Sequence, residues 1–354
     1  MKNLSTNAKI IIGLIVLAIF IYVVSLVVLL GKKPKPPVTI QPVQIQQVLD
    51  EYVGFPTLSA DKKSILFLDE NSNLVSYDLA KKTKKKIVSI WPTVRNINWA
   101  PDKEKLIITR QDAKGKLSTV LYNITANKWK TYDSRMQNIV WSLDSKRIIY
   151  QWLDTKKKIS TLNIANFDGR HWEKITDLKS FPSEGGYALA WVDDENIIFS
   201  LLPTEIGGSS VYLTNLFTKK TKKISPKDGL MGFLLSPDGK KAVSFLYKPE
   251  GELPYNLGVA EVGKWEWKDL MISFGDPSVE RLSWFSDNKK LIAVISGEEE
   301  DEFYQIDVEK KEKTKIEIQK PEGMGDIFVT SLMLLNDKKV YFVSNEKLYV
   351  MEIQ

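Results

Sequence analysis

The chain has 354 residues, 43% of them apolar and 27% charged, enough for a large globular core. It contains no cysteine, which excludes disulfides, thiolate catalysis and cysteine-ligated metals. The formal charge of +6 is modest for this length, so the distribution of charge carries more information than its sum.

After a short tail (residues 1–9), positions 10–30 carry no charged side chain, and Ser25 and Tyr22 supply their few polar atoms. At about 1.5 Å per residue such a helix spans the roughly 30 Å of a bilayer interior. The run is longer than a signal-peptide core, and no small-residue cleavage site follows it. The sequence therefore predicts an uncleaved, single-pass signal anchor, with Gly31–Pro37 as a stiff Lys/Pro-rich spacer. Basic residues flank both ends of the span. A short tail before a first apolar segment places residues 38–354 outside the cytoplasm, at the cell membrane.

Beyond the spacer one motif recurs seven times: a strand ending in Trp or Leu, a turn carrying Asp and Lys, then an aliphatic strand. The turns centre on Asp61, Asp102, Asp144, Asp194, Asp238, Asp287 and Asp337, at spacings of roughly 41 to 50 residues, the period of a four-stranded propeller blade. Asp followed by Gly, Asn or Lys is tight-turn chemistry, since the carboxylate accepts N–H groups of its own turn. The large residue three positions before the Asp (Leu58, Trp99, Trp141, Trp191, Leu235, Trp284, Leu334) is expected to fill the wedge between blades. In the first repeat the expected strands are 56–60, 64–68, 73–79 and 86–90. The seventh supplies only 331–335, 340–343 and 347–353. The missing outer strand matches the leftover segment 38–49, which is expected to close the ring. The fold class predicted is all-β: a seven-bladed propeller over 38–354, preceded by one transmembrane helix.

These repeats resemble the WD40-like propeller repeat of the TolB type, most closely at Leu235-Ser236-Pro237-Asp238-Gly239-Lys240-Lys241 and Trp99-Ala100-Pro101-Asp102-Lys103. The resemblance covers about residues 38–354 and implies the architecture. The repeat occurs in binding proteins and beside the hydrolase domain of serine peptidases, so it implies no single function.

No G-x-S-x-G elbow occurs, and no residues remain for a hydrolase domain. The one histidine, His171, falls at the start of an outer strand and reads as a surface residue. The acidic run Glu298–Glu302 lacks the alternating pattern of a calcium loop and reads as a solvated hairpin between the second and third strands of repeat six. No phosphate-binding glycine loop is present. The expectation is a protein with no catalytic residues, no metal and no cofactor, acting as a protein- or peptide-binding or scaffolding module.

Propeller topology assigns each loop to a face. The face bearing the Asp–Lys turns carries Lys81, Lys82, Lys84, Lys85 and Lys86 in one repeat and Lys219, Lys220, Lys222 and Lys223 in another. By unit charges it sums to roughly +14, against roughly −9 for the opposite face. This basic side is the expected contact with anionic lipid or a wall polymer; lysine dominance with few interleaved aromatics argues against nucleic acid. On the other face, Arg95, Arg135 and Arg281 precede inner strands, with Trp91, Phe181 and Phe328 in neighbouring loops. These six are the ligand-binding candidates at the channel mouth. Two other readings fit the same features: an enzyme using channel-mouth carboxylates on envelope polysaccharide, and the sensory ectodomain of a membrane complex.

Overall fold

The computed structural model describes residues 42–353, apart from 92, 182, 184–185, 202–207, 227–228 and 250–252. Among these residues the chain forms seven sheets, each ordered from an inner to an outer strand. Blade one spans 54–89, two 94–131, three 136–177, four 187–223, five 230–274, six 282–315 and seven 329–352. The predicted transmembrane segment, the spacer and residues 38–41 lie outside the described residues. Among the described residues no helix is long and apolar enough to cross a membrane.

The ring closes as the seven-repeat count requires. Val43–Leu49 pairs antiparallel with Lys347–Glu352, in the register Ile45↔Met351 and Gln47↔Tyr349, and is the fourth strand of blade seven. Ile45 is buried against Tyr349 and Met351. A further strand was not foreseen: Ile318–Gln319 adds in parallel outside Val43–Gln44, with the Val43 N–H donating to Glu317 O at 2.7 Å. The closing strand is thus held from both sides.

The Asp–Lys turns owe their recurrence to one hydrogen-bond set. In blade three, Ser142 Oγ donates to Asp144 Oδ1 at 2.6 Å, the Lys146 N–H donates to the same oxygen at 3.1 Å, and the Arg147 N–H donates to Ser142 Oγ at 2.8 Å. Ser59/Asp61 and Ser236/Asp238 repeat this set. Serine hydroxyls, then backbone N–H groups, hold the Asp61 and Asp238 carboxyls below the usual range. Because the folded state favours the carboxylate, this contribution is present at neutral pH and is lost as pH falls through the folded pKa.

The turns also touch one another. The Asp102 N–H donates to Ser145 Oγ at 3.0 Å, the Asp238 N–H to Asn288 Oδ1 at 3.1 Å, and the Ser286 N–H to Asp337 Oδ1 at 2.8 Å. Nearer the axis, Trp141 Nε1 donates to Asn98 O at 3.0 Å while Asn98 Nδ2 donates to Ile139 O at 2.8 Å, a reciprocal clasp between blades two and three. Trp141, Trp191 and Trp284 are buried between blades, as the motif implies.

Two predictions test this architecture. Ile45→Asp places a charge inside the blade-seven core and should cost at least about 3 kcal/mol in urea unfolding, whereas Gln46→Asp, on an exposed position of the same strand, should stay within about 0.5 kcal/mol. Equal midpoints would show that the strand does not close the ring. In five of the seven turns the residue after the Asp has positive φ (Lys62, Lys103, Ser145, Gly239 and Asn288), and only at Gly239 is it glycine; Lys62 sits at φ 57°. Lys62→Gly should therefore stabilise by about 0.5–1 kcal/mol and Gly239→Lys destabilise by about 1 kcal/mol, read as shifts in Tm.

Candidate binding site at the channel mouth

The inner strands are short and bulged. Register shifts interrupt the ladder between Gly54 and Thr57, Val94 and Asn96, and Val329 and Ser331. A bulge turns consecutive side chains away from strict alternation. Here Thr57, Asn96, Thr330 and Ser331 face a cavity of about 580 Å³, shared by the inner strands of blades one, two, six and seven. Tyr52, Glu280 and Glu346 form its rim on the face opposite the Asp–Lys turns. Glu280 and Glu346 make no ion pair among the described residues, so the mouth is polar and acidic.

The sequence-derived candidates gather there only in part. Arg281 is 7% exposed and sits in the crossing segment beside Glu280. Its Nη1 lies 3.3 Å from Asp276 Oδ2 and donates to Ser296 Oγ at 3.0 Å, and its Nη2 forms an ion pair with the buried Asp301 outside hydrogen-bond geometry. Its Nε has no hydrogen-bond partner among the described residues. Arg281 is therefore an internal strut and not a free ligand cation.

This pair also corrects the reading of Glu298–Glu302 as a solvated hairpin. Asp301 Oδ2 accepts the Val329 N–H at 2.7 Å, Glu300 Oε2 accepts Lys320 Nζ at 2.9 Å and the Ile327 N–H at 3.0 Å, and Glu302 pairs with Lys315 at 2.7 Å. Glu300 and Asp301 thus fasten blade six to the connection into blade seven and to its first strand, while Glu302 pairs within blade six.

The remaining candidates are dispersed. Arg95 is exposed and donates from Nε to Gln111 Oε1 at 2.9 Å. Arg135 is bidentate on Asp133, with Nε at 2.9 Å and Nη2 at 2.6 Å, lies 3.6 Å from Asp154, and covers the Trp152 ring at 4.3 Å. Its guanidinium pulls the Asp133 carboxyl down to about 2. Trp91 meets Trp129 edge-on at 4.8 Å under the Arg110 guanidinium. Phe181 packs against Phe199 and Tyr212, so it is core rather than a contact for a ligand. Phe328 is 51% exposed, with its N–H donating to Ser344 Oγ. None of these six lines the channel cavity. The residues that do were missed because bulges, which a period-two reading overlooks, orient them.

On the opposite face, Lys81 and Lys82 are exposed turn residues, but Lys84, Lys85 and Lys86 belong to the outer strand Thr83–Ser89, and Lys222 and Lys223 to Thr221–Lys223. Only part of the expected basic turn face is therefore turn; the rest runs along blade rims. Lys84 pairs with Glu51 and Lys219 with Glu173, each at 2.6 Å, while Lys220 is exposed on its turn. His171 is exposed on the 167–172 turn of this face. Among the described residues no group of three or more His, Asp or Glu side chains converges as a metal cage.

No protein-family model matches the sequence, and no curated protein matches it. Solved structures do. An oligogalacturonate lyase in complex with manganese matches 88% of this chain and 93% of its own, with a TM-score of 0.63 at 13% identity. A prolyl endopeptidase structure matches 86% of this chain and 50% of its own, at 0.60 and 12%. TolB from Acinetobacter baumannii matches 80% of this chain at 0.50 and 13%; the present chain spans 66% of that TolB chain. Fold and comparisons together define a β-propeller. It is a seven-bladed propeller, similar in fold to TolB.

These likenesses correct one expectation, that the chain is not an enzyme. That expectation rested on the lack of a hydrolase domain and of a phosphate-binding loop, and on reading His171 and Glu298–Glu302 as surface features. A lyase matched over 93% of its own chain needs almost no structure outside the propeller. At such identities the shared fold by itself assigns no activity.

The buried pair yields a prediction. Arg281→Met should destabilise by about 3–5 kcal/mol in urea unfolding, because Asp301 is left charged and buried. Adding Asp301→Asn, which still accepts the Val329 N–H, should restore a large part of the loss. If the double variant is no better than the single one, Arg281 acts through packing alone.

Proposed function

We propose that the propeller is a recognition module that takes a protein or peptide partner at the channel mouth, and that residues 10–30 hold it at a membrane with the propeller outside the cytoplasm. The observation that carries the reading is the cavity of about 580 Å³ whose rim includes Glu280 and Glu346, two carboxylates without a cation partner among the described residues. Such a mouth suits a basic or amine-bearing segment, whose charge they would neutralise. Hydroxyl and amide groups from Thr57, Asn96, Thr330 and Ser331 offer the fixed polar contacts that orient a bound chain. The membrane placement is supported by the uncharged run 10–30.

A second reading is favoured by the same two carboxylates: an enzyme acting on an envelope polysaccharide. It requires shortened products from such a polymer, lost in both Glu280→Gln and Glu346→Gln; an unaltered polymer would exclude it.

Because the chain has no cysteine, one introduced thiol is a unique probe. In intact cells carrying the full chain, a membrane-impermeant thiol crosslinker should join a partner to Tyr52→Cys and Thr330→Cys, but not to Lys81→Cys on the opposite face. Adducts of equal yield from all three positions would remove the channel mouth as the docking site. Thiols that react only after lysis would place the propeller inside.

A further inference from the structure

The groove between blades two and three is unlike the other blade contacts. Toward blade four, blade three presents Ile149, Leu162, Ile164 and Ile175, an aliphatic face packed on Tyr187 and Phe199. Toward blade two, the half nearest the axis is filled by Ile107, Leu121, Met136, Ile139 and Ile148, and the buried Tyr132 and Tyr150 extend the same cluster outward. Beyond them a cleft remains. The outer strand of blade two, Lys128–Thr131, is four residues long and exposed throughout, so it does not cover the sheet beside it. The space left is a cleft of about 610 Å³, within the roughly 300–1,000 Å³ typical of small-ligand sites.

The floor of this cleft is built in two cross-strand rows. Tyr150 stands opposite Asn163, which stands opposite Lys174; Trp152 stands opposite Thr161, which stands opposite Asp177. All six line the cleft, with Tyr132 and Ile159 beside them and Trp172 at the mouth. Asn163 is 3% exposed and Thr161 7%. Their side chains bond to each other, Asn163 Nδ2 donating to Thr161 Oγ1 at 3.1 Å and Thr161 Oγ1 approaching Asn163 Oδ1 at 3.4 Å. Asn163 Nδ2 also reaches Thr161 O at 3.5 Å, so each of these atoms has a partner, yet an amide and a hydroxyl bonded only to each other keep one donor and several lone pairs for a ligand. Packing alone would be served by Ile and Leu, as it is on the other side of the same sheet.

The rim narrows the chemistry of the occupant. Asp133 is neutralised by Arg135, and Asp168 lies 3.4 Å from Arg170. Lys130 donates to the backbone carbonyl of Asp168, and Lys174 and Asp177, both on the strand Glu173–Asp177, add one charge of each sign. No unopposed charge of one sign selects an ion. What remains is the open indole of Trp172, beside the buried Tyr132 and a Trp152 ring covered on one face by Arg135, with buried groups that both donate and accept hydrogen bonds. Trp172 is 66% exposed, a large apolar surface left in water at the mouth of a formed cleft. A ring with an apolar C–H face and an edge of hydroxyls matches both features.

We propose that this interblade cleft binds a short neutral oligosaccharide, one sugar ring stacking on Trp172 and the hydroxyls of the chain meeting Thr161, Asn163 and Tyr150. The site is separate from the channel mouth and shares no lining residue with it.

The full chain is titrated with cellotetraose, xylotetraose, maltotetraose and chitotetraose, followed by tryptophan fluorescence and calorimetry. At least one should saturate with Kd on the order of 1 mM or tighter. Trp172→Ala, which alters an exposed side chain, should weaken that binding at least tenfold without moving Tm. Asn163→Leu should abolish it while the protein stays folded. Tyr52→Cys, at the channel, should leave it unchanged, so this proposal and the channel reading fail separately. The assignment is overturned if none of the four sugars saturates, if binding survives Trp172→Ala, or if a peptide and not a sugar occupies the cleft.

Discussion

The ladder between Val43–Leu49 and Lys347–Glu352 is the interaction on which the rest depends. Seven blades splayed about an axis leave two sheet edges unless the first and last segments of the domain share a blade. Here they do, and Ile45 carries the join into the core alongside Phe342, Tyr349 and Met351. With the ring closed, the inner strands face one another at fixed distances, so a cavity drawn from blades one, two, six and seven keeps its shape. Blades six, seven and one are the ones that meet at this seam.

Two kinds of polar contact then set the blades relative to one another. On one face the Ser–Asp turns exchange hydrogen bonds from blade to blade, as at Asp102 with Ser145 and Ser286 with Asp337. On the other, Arg281, Asp301, Glu300 and Lys320 tie blade six to its neighbour. Apolar wedges supply most of the stabilisation between these layers, but they are non-directional. The polar contacts supply the angle. Where the wedge is incomplete, at the outer half of blades two and three, the sheet surface is polar and aromatic instead of aliphatic.

Much of this was legible in the sequence because the governing signals are local and repeated. The turn motif fixed the blade count through Asp61 to Asp337, and the missing outer strand of the last repeat pointed to the first segment of the domain. Strand Ser64–Leu68 was read to its ends; the closing strand runs over Val43–Leu49 among the described residues, and 38–41 lie outside them. Other features are set by contacts that no local pattern records. Arg281 was read as free because its partner, Asp301, lies 20 residues on, within an acidic run that looked solvated. The channel-lining Asn96 and Thr330 lie beside bulges, where alternation fails. The alternating Thr161 and Asn163 were visible in the strand Ile159–Asn166, yet only the short neighbouring strand Lys128–Thr131 shows that their face is open.

The double pairing of Val43–Leu49 has a mechanical consequence. The strand begins on the Asp–Lys face, between Lys347–Glu352 on one side and Ile318–Gln319 on the other. A pull on Val43 away from that face is directed along the strand axis. The cross-strand hydrogen bonds lie perpendicular to that direction, so they are loaded together in shear instead of being peeled apart singly. Because Ile318–Gln319 runs parallel to this strand and Lys347–Glu352 antiparallel, the two flanks resist the same displacement with different bond geometries. Entry of the chain at this position makes the seam of the ring the part best arranged to bear tension.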